Sequence, residues 1–110
     1  MKTLEITDAN FREIVLQSTK TVLVDFTAEW CGPCKIMKPV ISLLAEELSE
    51  VAVIVKLDVD VNPLTTAEFG VRSMPTFLVF NKGKLVDRVI GAVPKSVLES
   101  KILAASKAWS

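Results

Sequence analysis

The 110-residue sequence predicts an α/β fold in which helices cover both faces of a mixed β-sheet. Three observations support this prediction: β-branched runs alternate with amphipathic segments, two of the runs are apolar on both faces, and a hairpin turn follows them. Half of the residues are apolar, which is enough for one hydrophobic core, and no linker or low-complexity segment interrupts the chain. We therefore expect a single domain over residues 1–110, with a mixed five-stranded sheet and four helices.

The amino-terminal third begins with a short strand candidate at residues 4–7. Thr7 or Asp8 is placed to cap a first helix, because both side chains carry oxygens that accept the free N–H groups of a helix start. Residues 21–27 form an apolar run with one internal aspartate, which predicts a central strand buried on both faces. The apolar residues of the first helix recur at three- and four-residue spacing, namely Phe11, Ile14 and Val15.

The middle of the chain predicts the longest helix and a second buried strand. Residues 51–59 are rich in β-branched side chains and predict the strand. Asn62 and Pro63 are typical of a helix cap and a first helical position, so a short helix is expected to end at Gly70. The longest helix is expected from residue 30 to about residue 49, with a core-facing side formed by Ile36, Met37, Val40, Ile41, Leu44 and Leu48.

The carboxyl-terminal third predicts a β-hairpin followed by a closing helix. Residues 76–80 and 85–90 have strand character and flank the turn sequence Asn81-Lys82-Gly83-Lys84. Trp109 is expected to pack against the surface or to fray with the end of the chain. The closing helix carries one apolar stripe, consisting of Val97, Leu98, Ile102 and Leu103.

The composition excludes several classes of function. The 13 basic and 13 acidic residues balance, so no excess of positive charge favours nucleic acid or an anionic membrane as a partner. The chain has no histidine, which removes every histidine-based catalytic arrangement and the commonest metal ligand. Two cysteines cannot by themselves supply the four ligands of a zinc site in one chain. We therefore expect no metal site in this chain. We also expect a monomer.

The sequence also carries a prediction of location. The amino terminus lacks the apolar segment of a signal peptide, and no apolar run reaches the length needed to span a bilayer. Because the sequence begins with Met1, we expect a cytoplasmic protein. In that compartment a Cys-x-x-Cys motif is more often catalytic than structural.

The two cysteines of the chain, Cys31 and Cys34, follow directly after the predicted central strand. In an α-helix their three-residue spacing leaves the Cα atoms about 5 Å apart, within the roughly 4.4–6.8 Å that a disulfide needs. The free N–H groups and the dipole of the helix start stabilise a thiolate on Cys31. We expect Cys31 to be the more exposed, attacking cysteine and Cys34 the more buried, resolving one. The alternatives are a chance pair of small apolar residues or half of a metal site shared between chains.

Trp30-Cys31-Gly32-Pro33-Cys34, with Lys35, Pro39 and the later Met74-Pro75-Thr76, resembles the thioredoxin family, and the resemblance extends from residue 8 to residue 91. It implies that the first three strands are parallel and that the hairpin is antiparallel to its neighbour. It also implies a protein-disulfide reductase: Cys31 attacks a disulfide of a protein substrate, and Cys34 releases the product. A thioredoxin reductase with its own cofactor would reduce the pair again, so this chain would need no cofactor.

Asp25 interrupts the apolar central strand and is expected to share a face with Thr27. Its functional interpretation, which the resemblance supports, is that it accepts the proton of the Cys34 thiol through water. Burial is expected to raise its pKa toward the working range. Lys56 in the next strand could lie over Asp25. The alternatives are an ordinary hydrogen-bonded carboxylate at Asp25 and a lysine that extends to solvent at Lys56.

Pro75 is the second feature that the resemblance singles out. It implies a cis peptide bond before Pro75, which would turn the backbone of Met74 outward to pair with an extended substrate segment. At position 27 the chain has Thr27, where bacterial members of the family often have tryptophan, so the packing beneath the cysteines is expected to differ. The resemblance also implies a shallow apolar contact surface around the cysteines, consisting of Trp30, Gly32, Pro33, Val59, Met74, Pro75, Thr76, Gly91 and Ala92.

The sequence as a whole predicts a small cytoplasmic protein-disulfide reductase. Gly32-Pro33 adds no cation or donor side chain between the sulfurs, so the thiolate is stabilised only moderately and the dithiol should act as a reductant. A disulfide oxidase or isomerase is an alternative, although such proteins typically carry histidine between the cysteines. A second alternative is a thioredoxin-fold binding subunit that uses the same surface without turnover. A third alternative is a redox-inert scaffold.

Overall fold

The computed structural model describes residues 3–107, which form one five-stranded mixed sheet accompanied by four helical segments. The strands are β1 Leu4–Ile6, β2 Thr21–Thr27, β3 Ala52–Asp58, β4 Thr76–Asn81 and β5 Lys84–Ile90. The helical segments are a π-helical turn at Arg12–Leu16 and the helices α1 Gly32–Glu47, α2 Pro63–Glu68 and α3 Lys95–Lys107. The strand order is β1-β3-β2-β4-β5, with β1, β2 and β3 parallel and β4 and β5 antiparallel to their neighbours. The predicted fold class is confirmed.

The sheet buries an apolar layer on each of its faces, because successive side chains of β2 point to opposite sides. Leu23 packs on one face with buried residues of α1 and α3, such as Met37 and Ile102. Phe26 packs on the other face with Val15 of the π-helical turn. Each neighbouring layer removes apolar surface from water, which is the main favourable contribution to folding. The helices therefore cover both faces, as predicted.

Helix α1 differs from the prediction in its bounds and in the direction of one side chain. It begins at Gly32 and ends at Glu47, with Cys31 as its N-cap, so it is shorter than expected at both ends. Ile36 was predicted to face the core but is 70% exposed. The buried residues Met37, Ile41 and Leu44 recur at four- and three-residue spacing, and that stripe leaves Ile36 on the solvent side of the helix.

The cap of helix α2 comes from a distant part of the chain. Asp8 does not cap the first helical segment: its carboxylate accepts the N–H groups of Thr65 at 2.9 Å and of Leu64 at 3.1 Å. Asn62 holds the N-cap position, but its side-chain amide donates to the Asp58 carbonyl and accepts from the Asp8 N–H instead. The prediction that Asp8 or Thr7 caps the first helix is therefore wrong, and Asp8 fixes the loop between β3 and α2.

The hairpin and the closing helix agree with the sequence. Lys82 and Gly83 form a two-residue turn between β4 and β5, with φ values of 50° and 82°. Both values are positive, as the favoured hairpin turn requires, and a Cβ atom at Gly83 would collide with the Leu16 carbonyl group. Helix α3 buries Leu98 and Ile102 against the sheet. Trp109 lies outside the described residues.

Candidate active site

Cys31 and Cys34 lie where the chain passes from β2 into α1, and a disulfide joins them. Their Cα atoms are 5.3 Å apart, as the spacing in the sequence predicts. Cys31 is the N-cap of α1, and its Sγ accepts the N–H of Cys34 at 3.1 Å. That donor lies at the positive end of the helix dipole, where it would also stabilise a thiolate on Cys31 after reduction.

The exposed fractions of the two cysteines are not those expected from the sequence. Cys31 is 4% exposed and Cys34 is 8% exposed, so Cys31 is not the more exposed cysteine of the disulfide form. Helix position alone did not show that the two cysteines form one buried cluster with Ala28, against which Val59 and Met74 pack. The sulfurs differ instead in their surroundings. Sγ of Cys31 lies 3.4 Å from the Met74 carbonyl oxygen, whereas Cys34 lines a cavity beside the sheet.

The loop before β4 places backbone groups next to Cys31. The peptide bond between Met74 and Pro75 is cis, which confirms the geometry implied by the resemblance. Pro75 is buried, and its carbonyl accepts the N–H of Gly91 at 2.8 Å, which brings Gly91 beside the loop. Thr76 is 1% exposed and its hydroxyl donates to the Ser73 carbonyl at 2.7 Å. The Thr76 side chain is therefore not part of the predicted contact surface, because it is buried and its hydrogen bond stabilises the loop.

The remaining residues of the predicted contact surface lie at or near the surface around the disulfide. Trp30 is 66% exposed, and its indole Nε1 donates to the carboxylate of Asp60 at 2.8 Å. Asp60 was not identified from the sequence, because this hydrogen bond joins residues that are 30 positions apart. The other members are exposed or half-buried, namely Gly32, Pro33, Val59, Met74, Gly91 and Ala92.

Asp25 lies in the middle of β2, directly opposite Lys56 in the parallel strand β3. The side chain is 8% exposed, and its Oδ1 atom has no hydrogen-bond partner. Burial raises the pKa of Asp25 from 3.8 to about 7, while the positive charge of Lys56 lowers it to a smaller extent. The direction of the pKa change agrees with the effect expected from burial, and the strand register pairs Lys56 with Asp25.

A cavity of about 680 Å³ lies beside Cys34 and Asp25. Its wall includes Thr27 of β2 and Lys56 of β3, together with residues from β1 and from α1 between Cys34 and Ser42. The sequence did not reveal this cavity, because its wall comes from four elements that only the folded sheet brings together. Asp25, Cys34 and Lys56 all line this cavity.

Two further observations concern what the described residues contain. Over residues 3–107, no group of three or more Cys, Asp or Glu side chains is arranged to hold a metal ion. In the same part of the chain, no helix has both the length and the apolar character needed to cross a membrane. The site includes the disulfide, the Asp25 carboxyl and the Lys56 ammonium group, and further charged side chains such as Glu29 and Lys35 line its cavity.

Comparisons with known proteins agree with this geometry. The family model named Thioredoxin matches residues 2–104. The thioredoxin of Porphyra purpurea is 48% identical over 102 residues, which cover 93% of this chain and 95% of the relative. The thioredoxin of Chlorobaculum thiosulfatiphilum is 48% identical over 101 residues (92% and 94%), and that of Synechocystis sp. is 45% identical over 100 residues (91% and 94%). The chain therefore belongs to the thioredoxin family.

Proposed function

We propose that this chain is a protein-disulfide reductase that exchanges the dithiol of Cys31 and Cys34 for a disulfide of a protein substrate. One observation carries the proposal: a cysteine pair at disulfide distance caps the first turn of α1 in a chain of the thioredoxin family. The pair can alternate between disulfide and dithiol with little movement of the backbone, because the Cα atoms are already 5.3 Å apart.

In the first step the Cys31 thiolate attacks one sulfur of the substrate disulfide. The bond between the two substrate sulfurs breaks, a mixed disulfide forms, and the other substrate sulfur leaves as a thiolate that takes up a proton. The N–H of Cys34, 3.1 Å from Sγ of Cys31, supports this role by stabilising the thiolate before attack. The neighbouring Met74 backbone provides an edge for an extended substrate segment.

In the second step Cys34 releases the substrate. The Asp25 carboxylate takes the Cys34 proton through water, and the Cys34 thiolate attacks Sγ of Cys31. The mixed disulfide breaks, the intramolecular disulfide forms, and the substrate leaves with both of its sulfurs reduced. A pKa of about 7 makes Asp25 suitable as a base at neutral pH, and Lys56 opposite it favours the carboxylate.

The same proposal includes the partners and the setting. Substrates dock on the contact surface, and a thioredoxin reductase that carries its own cofactor returns the disulfide to the dithiol. We further propose that residues 1–110 act as a single domain and as a monomer in the cytoplasm, without a cofactor in this chain. The contact surface of the proposal consists of Trp30, Gly32, Pro33, Val59, Met74, Gly91 and Ala92, with Pro75 beneath it and without the side chain of Thr76.

Reduction of insulin disulfides, followed with matched cysteine variants, tests this function. Wild-type protein with a reductant should accelerate insulin reduction, and both Cys31→Ser and Cys34→Ser should abolish turnover. Cys34→Ser should accumulate a mixed disulfide on Cys31, which mass spectrometry of peptides identifies, whereas Cys31→Ser should trap nothing. An adduct on Cys34 would reverse the two roles. Binding of substrates without turnover by the wild-type protein would indicate a binding subunit instead.

A further inference from the structure

Helix α1 carries an apolar strip on its surface, which consists of Ile36, Val40 and Leu43. These residues follow each other at four- and three-residue spacing, so their side chains lie on one face of the helix. Ile36 is 70% exposed and Leu43 is 45% exposed, whereas Val40 is half-buried. None of the three lines the cavity beside Cys34. Contiguous exposed apolar residues of this kind, unlike scattered ones, are typical of interaction sites.

The loop between β5 and α3 runs beside the apolar strip and is tied down at both of its ends. At one end the N–H of Gly91 donates to the Pro75 carbonyl at 2.8 Å, next to the cysteines. At the other end Lys95 forms an ion pair with Glu47, the last residue of α1. Val93 in the middle of the loop packs on the same core cluster as the middle residue of the strip. The strip and the loop therefore form one surface that runs from the cysteines to the end of α1.

This surface is continuous with the contact surface around the disulfide. Pro33 of the contact surface is exposed and lies three positions before Ile36, on the same face of α1. Ala92 of the contact surface is also exposed and begins the loop beside the strip. From Pro33 to Leu43 the helix rises about 15 Å, which an extended chain covers with about five residues. A substrate segment that leaves the contact surface in this direction would thus cover the strip with its next five residues.

The size and the charge of the surface select its occupant. An exposed patch of a few side chains covers on the order of 300 Å², whereas each partner in a stable dimer buries about 800 Å². The surface is therefore too small to hold a second copy of the chain by itself, but it suits a short segment that is already held at the disulfide. Lys95 and Glu47 at its far end neutralise each other, so the occupant that fits is an uncharged apolar segment.

We propose that the apolar strip is a specificity site, which binds an extended, uncharged apolar segment on one side of the reactive cysteine of the protein substrate. This assignment rests on the proposed function, because it adds a second point of contact to the same substrate. The strip offers only apolar side chains, so it affects how tightly the substrate docks and not how Cys31 reacts. A substrate without such a segment should still be reduced, but more slowly at low concentration.

Peptides that carry one cysteine in a disulfide with thionitrobenzoate test this site. Cys31 of the reduced protein attacks the peptide sulfur, the bond to thionitrobenzoate breaks, and the departing coloured thiolate reports the rate. Cys34 then attacks Cys31 and releases the peptide, whose sulfur takes up a proton. Four peptides are compared, with a five-residue segment either before or after the cysteine. In each position the segment either alternates valine and leucine with serine, which puts the apolar side chains on one face, or contains serine alone.

The wild-type protein should react about 25-fold faster with one of the two apolar peptides than with its serine counterpart, since the strip lies to one side of Cys31. Ile36→Ser and Leu43→Ser should each lower this preference about fivefold, because each removes apolar area that the segment would cover. The two positions are about 10 Å apart along the helix, so their effects should multiply and the double variant should lose the preference. The matched control is Leu85→Ser in β5, where the leucine is 41% exposed and the preference should remain.

Reaction with dithiobis(nitrobenzoate) distinguishes a failure of this site from a failure of the proposed function. This small disulfide does not reach the strip, so the wild-type protein and all variants should react with it at equal rates. No reaction by the wild-type protein would contradict the proposed function. A normal reaction combined with equal rates for all four peptides would overturn the specificity site alone.

Two further results would also overturn the specificity site. One is a preference for an apolar peptide that persists in Ile36→Ser and Leu43→Ser. The other is a wild-type dimer in sedimentation that Leu43→Ser abolishes, because the strip would then belong to an interface between two copies. If Leu43→Ser does not fold, Ile36→Ser decides the question, since that side chain is mostly exposed.

Discussion

Replacing Asp25 with alanine should remove a large pH dependence from the free energy of unfolding. Burial raises the pKa of Asp25 from 3.8 to about 7 in the folded protein. The protonated side chain therefore favours folding fully below pH 3.8, and that contribution is lost as the pH rises through about 7. The two pKa values differ by about 3, and each pKa unit corresponds to about 1.36 kcal/mol, so the lost contribution is about 4 kcal/mol. The side chain is only 8% exposed, so solvent screens little of this effect.

Urea denaturation of the disulfide forms at pH 4, 6 and 8 measures the effect. The stability of Asp25→Ala relative to the wild-type protein should rise by about 4 kcal/mol between pH 4 and pH 8, and the variant should be the more stable protein at pH 8. The matched control is Asp87→Ala, since Asp87 is 34% exposed and pairs with Lys101 at 3.2 Å, so burial cannot produce a change of this size. A stability difference that stays constant across the three pH values would refute the reasoning.

Two further predictions concern the redox pair and the cap of α2. In a glutathione buffer poised at roughly −180 to −210 mV, the cysteine pair should be mainly in the disulfide form. Alkylation of free thiols followed by mass spectrometry measures this. A predominantly doubly alkylated protein would indicate an oxidase instead. Asp8→Ala should lower the free energy of unfolding at pH 7 by about 1–2 kcal/mol, because Leu64 and Thr65 lose their N–H acceptor, while Asp8→Asn keeps one. Desolvation raises the pKa of Asp8, but the hydrogen bonds from Thr65 and Leu64 lower it, and the net pKa lies below its ordinary value. The stabilisation by the Asp8 carboxylate should therefore fade as the pH falls below about 3.8. An unchanged urea midpoint for Asp8→Ala would contradict the capping role.

Local patterns in the sequence determined most of the elements and the reactive pair. Strand β2 has the predicted bounds at Thr21–Thr27, because its β-branched run is apolar on both faces. The distance between Cys31 and Cys34 also followed from the sequence, since helical spacing fixes the separation of residues three apart. The turn at Gly83 was predictable for the same kind of reason, as only a few residue types adopt its backbone conformation. The strand order and the cis bond before Pro75 came from the family resemblance, not from these patterns.

Only the tertiary structure decided how distant residues meet around the site. The register that places Lys56 opposite Asp25, and the hydrogen bond from Trp30 to Asp60, depend on how the strands and their following loops are arranged in the sheet. Asp8 caps a helix 57 positions away for the same reason. A periodic pattern gives the face on which a side chain lies but not what covers that face. The low exposure of Cys31 and the cavity beside Cys34 are therefore properties of the packed protein, because both are set by neighbours that come from separate elements.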